Sequence, residues 1–386
     1  MVGSGIFGIA AAVELRSRGH SVTVFERGDV PNENASSTDV AKAIRRWFYG
    51  DNETYIELVE RSAAKWREWE ERFGSRVYHQ TGGIRVIRDF EPGTPMYKSV
   101  MYLKNFGSDV RALLPQEARG RFPQFVFRDD ELCLHEPWNG YLESGRALSL
   151  LAELAREEGV EVCEHTPVTR VEERGNGVKV LTEDGTRIFD LAVVAAGVWM
   201  GRLLPELGRH LAVTHQQMVF IVVENTRLVA RGSMPVWSFT SDDELWYGFP
   251  LLREGYVKVS NDQVGETVDP DMDRSLRPEF VNRAMEFLRE RIPEIGKGRV
   301  VGGRSCLFAN SPDDHFIIDW VPGSQRTLAA GGGSGHGFKF GGSIGAVIAD
   351  ALEGKSNPLG DQFRIGDRLN RGLKHRQKAD TPGFAS

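Results

Sequence analysis

Glycines at positions 3, 5 and 8 open this chain, and the apolar run Ile9-Ala10-Ala11-Ala12-Val13-Glu14-Leu15 follows directly. At a strand-to-helix junction the G-x-G-x-x-G spacing has a mechanical meaning. The first glycine permits a tight turn, the second lets the main chain approach a pyrophosphate, and the third lets the helix pack closely on the sheet. The helix N-terminus behind the turn then offers N–H groups and the positive end of its dipole to phosphates. A second strand, Ser21-Val22-Thr23-Val24-Phe25, ends in Glu26, where a carboxylate accepts from ribose hydroxyls. The spacing also occurs in glycine-rich turns that hold nothing, so the acid at the strand end decides for a dinucleotide. It argues for NAD or FAD and against NADP. Gly3, Ser4, Gly5, Ile6, Phe7, Gly8 and Glu26 are therefore predicted to contact the cofactor.

Only Met1 and Val2 precede Gly3, where such a unit normally supplies about four or five apolar residues. Either the start codon is assigned too late, which we favour, or the parallel sheet lacks most of its central strand. The chain as written is expected to hold its dinucleotide poorly.

The rest of the chain alternates sheet and helix patterns. Asn34 to Asp39 is a small polar loop that suits amides turned toward a phosphate, and an ordinary surface turn fits it as well. Lys42 to Tyr49 is basic and aromatic together, and Tyr55 to Arg72 is an amphipathic helix stopped by Gly74. Gln80 to Ile87 reads as a turn into a strand, Met96 to Phe122 as irregular helix, and Arg146 to Glu158 as helix. A strand meander spans 169–188 with Asp184-Gly185 as a hairpin turn, and the all-apolar strand from Leu191 ends at Gly197. Such a strand belongs in a parallel sheet covered on both faces. Long strands follow at 212–224 and 235–260, then a helix from Pro278 to Ile292, a strand from His315 and a last helix, Ile344 to Leu352.

Sheet segments in the middle, flanked by dinucleotide-type segments, predict an α/β (α+β) chain of two interleaved domains. A Rossmann-like domain for that NAD or FAD takes residues 1–80, 141–211 and 300–375. An antiparallel-sheet substrate domain takes 81–140 and 212–299, and 376–386 forms a flexible tail. A net charge of −6 with interspersed signs gives no basic field for nucleic acid or anionic membrane. No apolar run reaches membrane-spanning length and no secretory leader opens the chain. Cys133, Cys163 and Cys306 are odd in number and lack metal spacing, which fits a reducing cytoplasm.

The stretch Cys306-Leu307-Phe308-Ala309-Asn310-Ser311-Pro312-Asp313-Asp314-His315-Phe316-Ile317-Ile318-Asp319, with Ser334-Gly335-His336-Gly337-Phe338-Lys339-Phe340, resembles the D-amino-acid-oxidase superfamily of flavoproteins. Within it the chain is most similar to the branch of monomeric sarcosine oxidase, N-methyl amino acid oxidases and fructosyl amino acid oxidases. Gly197-Val198-Trp199, Ala35 to Asp39, and Arg46 with Tyr49-Gly50 add weaker matches. The resemblance covers nearly the whole chain and implies FAD as cofactor, tethered through a thioether at Cys306. Taken alone, an isolated cysteine reads more simply as a buried core residue.

It further implies cofactor contacts from Arg27, Ser36, Ser37 and Thr38, from Val168, Ala196, Gly197 and Trp199, and from Gly335, His336, Gly337, Phe338 and Lys339. Lys258 matches the lysine near flavin N5 that assists reaction with oxygen, although alone it would read as an exposed strand residue. Tyr247 keeps the family's spacing to it. Arg46 and Lys339 match the pair that holds the substrate carboxylate, with Arg45 an adjacent competitor for the first role. Where sarcosine oxidases have a histidine four residues after the lysine, this chain has Asp262, an acid that attracts an amine or hydroxyls and argues against sarcosine itself.

The implied activity is oxidation of a secondary-amine amino acid, of the N-methyl, pipecolate or fructosyl type, with oxygen reduced to hydrogen peroxide, by a monomer. The competing readings are a flavin dehydrogenase that uses another electron acceptor, and a truncated flavin-binding protein without turnover. An NADH-dependent hydroxylase is disfavoured, since no second nicotinamide fingerprint is present.

Overall fold

Hydrophobic patterning divides this chain between two sheets, and the computed structural model describes it over residues 1–241, 244–262 and 265–370. The tail assigned to 376–386, and the end of the segment before it, lie outside the described residues. Met1 and Val2 take the central position of the first sheet after all. Val2 bridges Phe25 on one side and Val194 on the other, both in parallel. Its N–H donates to Val193 at 2.8 Å, and its carbonyl accepts from Ala195 at 2.8 Å. Thr23–Phe25 pairs in parallel with Glu161–Cys163, and Ala192–Val194 pairs in parallel with Thr327–Gly331, which Ile317–Trp320 joins antiparallel. The central position of the sheet is thus occupied only by isolated bridges at Val2, and no strand of ordinary length precedes the Ile6–Ser17 helix among the described residues.

Against this sheet lies the helix Ile6–Ser17. Ala10, Ala11 and Ala12 are buried, and the helix Gly341–Leu352 packs on it. Small residues permit the close crossing: a Cβ on Gly345 would come within 2.5 Å of the Ala10 carbonyl oxygen. The turn glycines answer to the same steric rule. Gly3 has φ +101°, and a Cβ there would meet the Ala195 carbonyl oxygen at 2.5 Å, whereas one on Gly8 would lie 2.0 Å from the Gly3 carbonyl oxygen.

Gly8→Ala is therefore expected to push the first helix off the sheet, lower the thermal midpoint and abolish retention of a dinucleotide. Gly120→Ala meets nothing within 4 Å and should leave both unchanged. Thermal melts and cofactor absorbance after gel filtration measure the contrast.

The second sheet has eight strands, in the order Arg299–Asn310, Ala212–Val222, Val257–Asn261, Glu244–Gly248, Val236–Ser241, Gly83–Ile87, Leu132–Glu136, Arg111–Leu113. Every pairing is antiparallel except that of Val236–Ser241 with Gly83–Ile87. The helix Pro278–Arg291 packs its Phe280, Ala284, Phe287 and Leu288 on one face of this sheet. Residues 300–310, placed with the dinucleotide domain, lie in the edge strand Arg299–Asn310 of the large sheet, which pairs along the whole of Ala212–Val222. One expectation needs correction. The Met96 to Phe122 segment is two helices, Pro95–Asn105 and Pro115–Arg121, with the strand Arg111–Leu113 between them.

A third, three-stranded sheet joins Lys42–Ile44, Gly140–Leu142 and Tyr78–His79. It carries the basic-aromatic segment from the dinucleotide side toward the large sheet.

Candidate active site

Two cavities adjoin where the sheets meet. The first, about 470 Å³, is lined by the glycine turn (Gly3, Gly5, Ile6, Phe7) and by Glu26, Arg27, Ser36 and Ser37. Val168, Ala196, Gly197 and Trp199 continue its wall, and Gly335, Gly337 and Phe338 close it. The second, about 100 Å³, lies between the large sheet and the Lys42–Ile44 strand. Lys42, Phe308, Gly335 and Phe338 line both.

Gly5 opens onto the first cavity, and a Cβ there would meet only Ser37 Oγ, at 3.2 Å, so the main chain is left bare at the N-terminus of the first helix. Ser37 Oγ accepts from the Ile6 N–H at 3.0 Å. Glu26 sits at the strand end with its carboxylate oriented by Ser4 Oγ at 2.7 Å, the Ser4 N–H at 3.0 Å and Asn32 Nδ2 at 2.8 Å. On the opposite wall the backbone turns through Gly332, Ser334 and Gly335, all at positive φ, before the Gly341–Leu352 helix. A cradle of bare backbone between two helix N-termini, with an acid at the far end, suits a pyrophosphate and an adenosine ribose.

Of the residues predicted to touch the cofactor, Ser4, Gly8, Thr38, His336, Lys339 and Cys306 do not line this cavity. Ser4 and Gly8 are buried behind the turn they shape, and His336 and Lys339 line the second cavity instead. The Cys306 thiol is buried, 3.9 Å from the Ser36 carbonyl oxygen, one strand step from Phe308 on the same face.

The second cavity is aromatic and cationic. Trp47, Phe48, Trp237, Tyr247 and Phe249 supply rings to it, and Lys42, Arg45, Lys258, Lys339 and Asp262 its charges. Phe48 is held at φ +77°, a conformation bulky residues avoid, and the Arg45 guanidinium lies 4.2 Å over its ring. Lys339 is buried, its Nζ donating to the His336 carbonyl at 2.9 Å. Lys258 is buried too, with Nζ donating to Asp39 Oδ2 and, at 2.7 Å, to the Ala41 carbonyl. Burial lowers its pKa to about 8 against the opposing pull of Asp39. Burial alone would disfavour the Asp39 carboxylate, but the Lys258 and Lys42 charges outweigh it and hold that carboxyl at about 2. Burial pushes the Tyr247 phenol well above its ordinary range.

Arg46 does not reach this cavity. Its guanidinium turns away to the buried Glu136, with Nε donating at 2.8 Å, and to Glu60 at 2.8 Å, while Trp138 lies 4.6 Å beneath it. Arg45, one residue earlier, lines the cavity instead. Alternation along Lys42–Ile44 sets neighbouring side chains on opposite faces, and the turn after the strand decides which arginine turns inward. Lys42 and Asp39 were passed over by the sequence reading. Only the Lys42, Ile44 alternation hinted at the former, and Asp39 looked like a loop residue.

Sheet, glycine turn and paired cavities define a two-domain dinucleotide-binding protein. Comparison with known proteins narrows the class: the model of the DAO family, FAD dependent oxidoreductase, matches residues 1–351, and the chain belongs to that family. It is 30% identical over 364 residues to the N-methyl-L-tryptophan oxidase of Yersinia pestis (strain Pestoides F), covering 93% of this chain and 95% of that one. Among solved structures it resembles L-proline dehydrogenase from P. horikoshii, with a TM-score of 0.83, 21% identity, and 97% and 98% of the two chains covered. It also resembles fructosamine oxidase (Amadoriase II) from Aspergillus fumigatus, with a TM-score of 0.79, 24% identity, and 96% and 90% covered. Those two likenesses speak for the fold. Among the described residues no helix is long and apolar enough to cross a membrane, and none of their His, Cys, Asp and Glu side chains form a group that could hold a metal.

Proposed function

We propose that this protein oxidises a secondary-amine amino acid, with FAD in the first cavity, the substrate in the second and oxygen as electron acceptor. One observation carries the reading: the two cavities share Lys42, Phe308, Gly335 and Phe338, and Arg45, Lys258 and Lys339 stand around the smaller one. The relative named for N-methyl-L-tryptophan supports it. Bound FAD would supply the two-electron acceptor whose return to the oxidised form by oxygen yields hydrogen peroxide.

The chain's own residues do the rest. Arg45 offers a fork and Lys339 a point charge to the substrate carboxylate, which fixes the C–H beside the amine in one orientation. Trp47, Phe48, Trp237 and Phe249 exclude water and pack on the substrate side chain. Lys258 holds a positive charge in a dry site, where it stabilises negative charge that develops on oxygen. Amides at the start of the Gly341–Leu352 helix, with its dipole, would favour negative charge on a cofactor bound beside them. Asp262 selects a substrate bearing a further amine or hydroxyls, so N-methyl amino acids with large side chains, pipecolate and fructosyl amino acids are candidates ahead of sarcosine. We place the protein in the cytoplasm as a monomer.

A peroxide-coupled screen of these three substrate groups tests the reading. Peroxide in step with substrate loss is the expected result, and dye reduction without peroxide would turn the assignment to a dehydrogenase. The proposal includes the thioether at Cys306. Acid precipitation of the purified protein should leave yellow colour in the pellet, and Cys306→Ser should move the colour to the supernatant.

A further inference from the structure

Lys258 and Lys42 lie on one buried carboxylate. Asp39 Oδ2 accepts from Lys258 Nζ and from Lys42 Nζ at 3.3 Å, while Oδ1 accepts from the Val40 N–H at 2.7 Å. The Asp39 main chain is itself bolted down. Its carbonyl accepts from the Gly145 N–H at 2.6 Å and from Ser144 Oγ at 2.7 Å, at the start of the helix Ser144–Glu157. The carboxylate cannot follow the lysines, so the lysines come to it. Both partners of the Lys258 pair have side chains no more than 2% exposed. An ammonium so deep in protein sheds its proton unless a counter-charge compensates the lost hydration.

The other titratable groups around this ammonium are Tyr247 on the neighbouring strand Glu244–Gly248, Asp262 just past its own strand, Cys306 on the edge strand, and His336 and Lys339 across the cavity. Asp39 is the carboxylate bonded to it in the structure.

We propose that Asp39 is a positioning residue for Lys258, whose carboxylate, divided between Lys258 and Lys42, fixes the Lys258 ammonium on the cavity wall and keeps it charged. The proposal rests on the role given to Lys258 above, but the pairing can be measured without that role. With Asp39 replaced by asparagine the shape is kept and the charge is lost, so the main counterweight to burial and Lys42 is withdrawn from Lys258.

The test uses the full chain with FAD bound and lysines labelled at Cε, the Lys258 resonance being assigned by its loss in Lys258→Met. In the native protein that resonance should titrate near pH 8. In Asp39→Asn the midpoint should fall by at least about one unit, which leaves roughly a tenth of the charge at pH 8. Asp39→Glu should restore most of it, and Lys42→Met, which frees the whole carboxylate for Lys258, should raise the midpoint. Lys42→Met and Asp39→Glu keep the question answerable if Asp39→Asn does not fold. In stopped flow the reaction with oxygen should lose rate as pH rises through the same midpoint in each variant.

Unchanged titration in Asp39→Asn, or no rise in Lys42→Met, would overturn the proposal. Titrations that move as expected in a protein that never reacts with oxygen would uphold the Asp39 pairing and sink the oxidase reading instead.

Discussion

With Lys258 replaced by methionine, reaction of the substrate-reduced protein with oxygen slows by about 10²–10³-fold, the loss typical when one preorganised charge is withdrawn from a dry site. Anaerobic reduction by substrate changes by less than about three-fold. The split follows from the partners of each cation. Lys258 is held on the cavity wall by Asp39 and the Ala41 carbonyl, and in the proposed division of roles it acts on charge that develops at oxygen while Arg45 and Lys339 take the substrate carboxylate. Methionine fills a similar volume and carries no charge, so packing against Phe249, which lies 5.1 Å from Nζ, is retained. Asp39 is then left buried with Lys42 as its remaining ion-pair partner, and a lower thermal midpoint accompanies the kinetic change. Stopped-flow absorbance of the two half-reactions separates the effects, and equal losses in both would remove Lys258 from the oxygen step.

Arg45 and Arg46 should part company when each is replaced by alanine. Arg45→Ala removes a fork from the cavity wall, and a charge-assisted contact worth about 2–5 kcal/mol raises KM by roughly 30-fold or more. Its fold should survive, because the half-buried Arg45 guanidinium donates to the Trp47 carbonyl at 3.0 Å, a neutral partner, so losing that bond strands no buried charge. Arg46→Ala reverses the pattern. Glu136 is fully buried, and burial already pushes its carboxyl above the ordinary range while Arg46 pulls it back. Without Arg46 that acid is stranded, and a broken buried pair costs about 3–5 kcal/mol of stability. KM should then stay within about two-fold of native. Steady-state kinetics with urea unfolding read both variants. A KM effect confined to Arg46→Ala would return the carboxylate site to that residue.

The two arginines also mark where linear reading loses its grip. They are neighbours of like charge at the end of a three-residue strand, and no periodicity that short tells inside from outside. What turns Arg45 inward is the strained turn at Phe48 together with Glu136, an acid 90 positions away that claims Arg46. Asp39 escaped for the same reason: its partner lies 219 positions along the chain. The pairing of the edge strand Arg299–Asn310 with Ala212–Val222 was not legible, because a strand's residues declare that it pairs and leave its partner unnamed.

By contrast, the glycine turn, the helix behind it and the acid at Glu26 were readable from residues 1–26 alone. Their requirements are local and steric: a positive φ, two close approaches and a strand end, all within one turn and one crossover. The sequence by itself thus determined the glycine turn, the α/β fold class and the cations available to a site. Tertiary structure alone decided which cation faces the cavity, which acid holds Lys258, and which strands Val2 bridges. Those outcomes depend on charges and strands brought together from distant parts of the chain, and no local rule contains them.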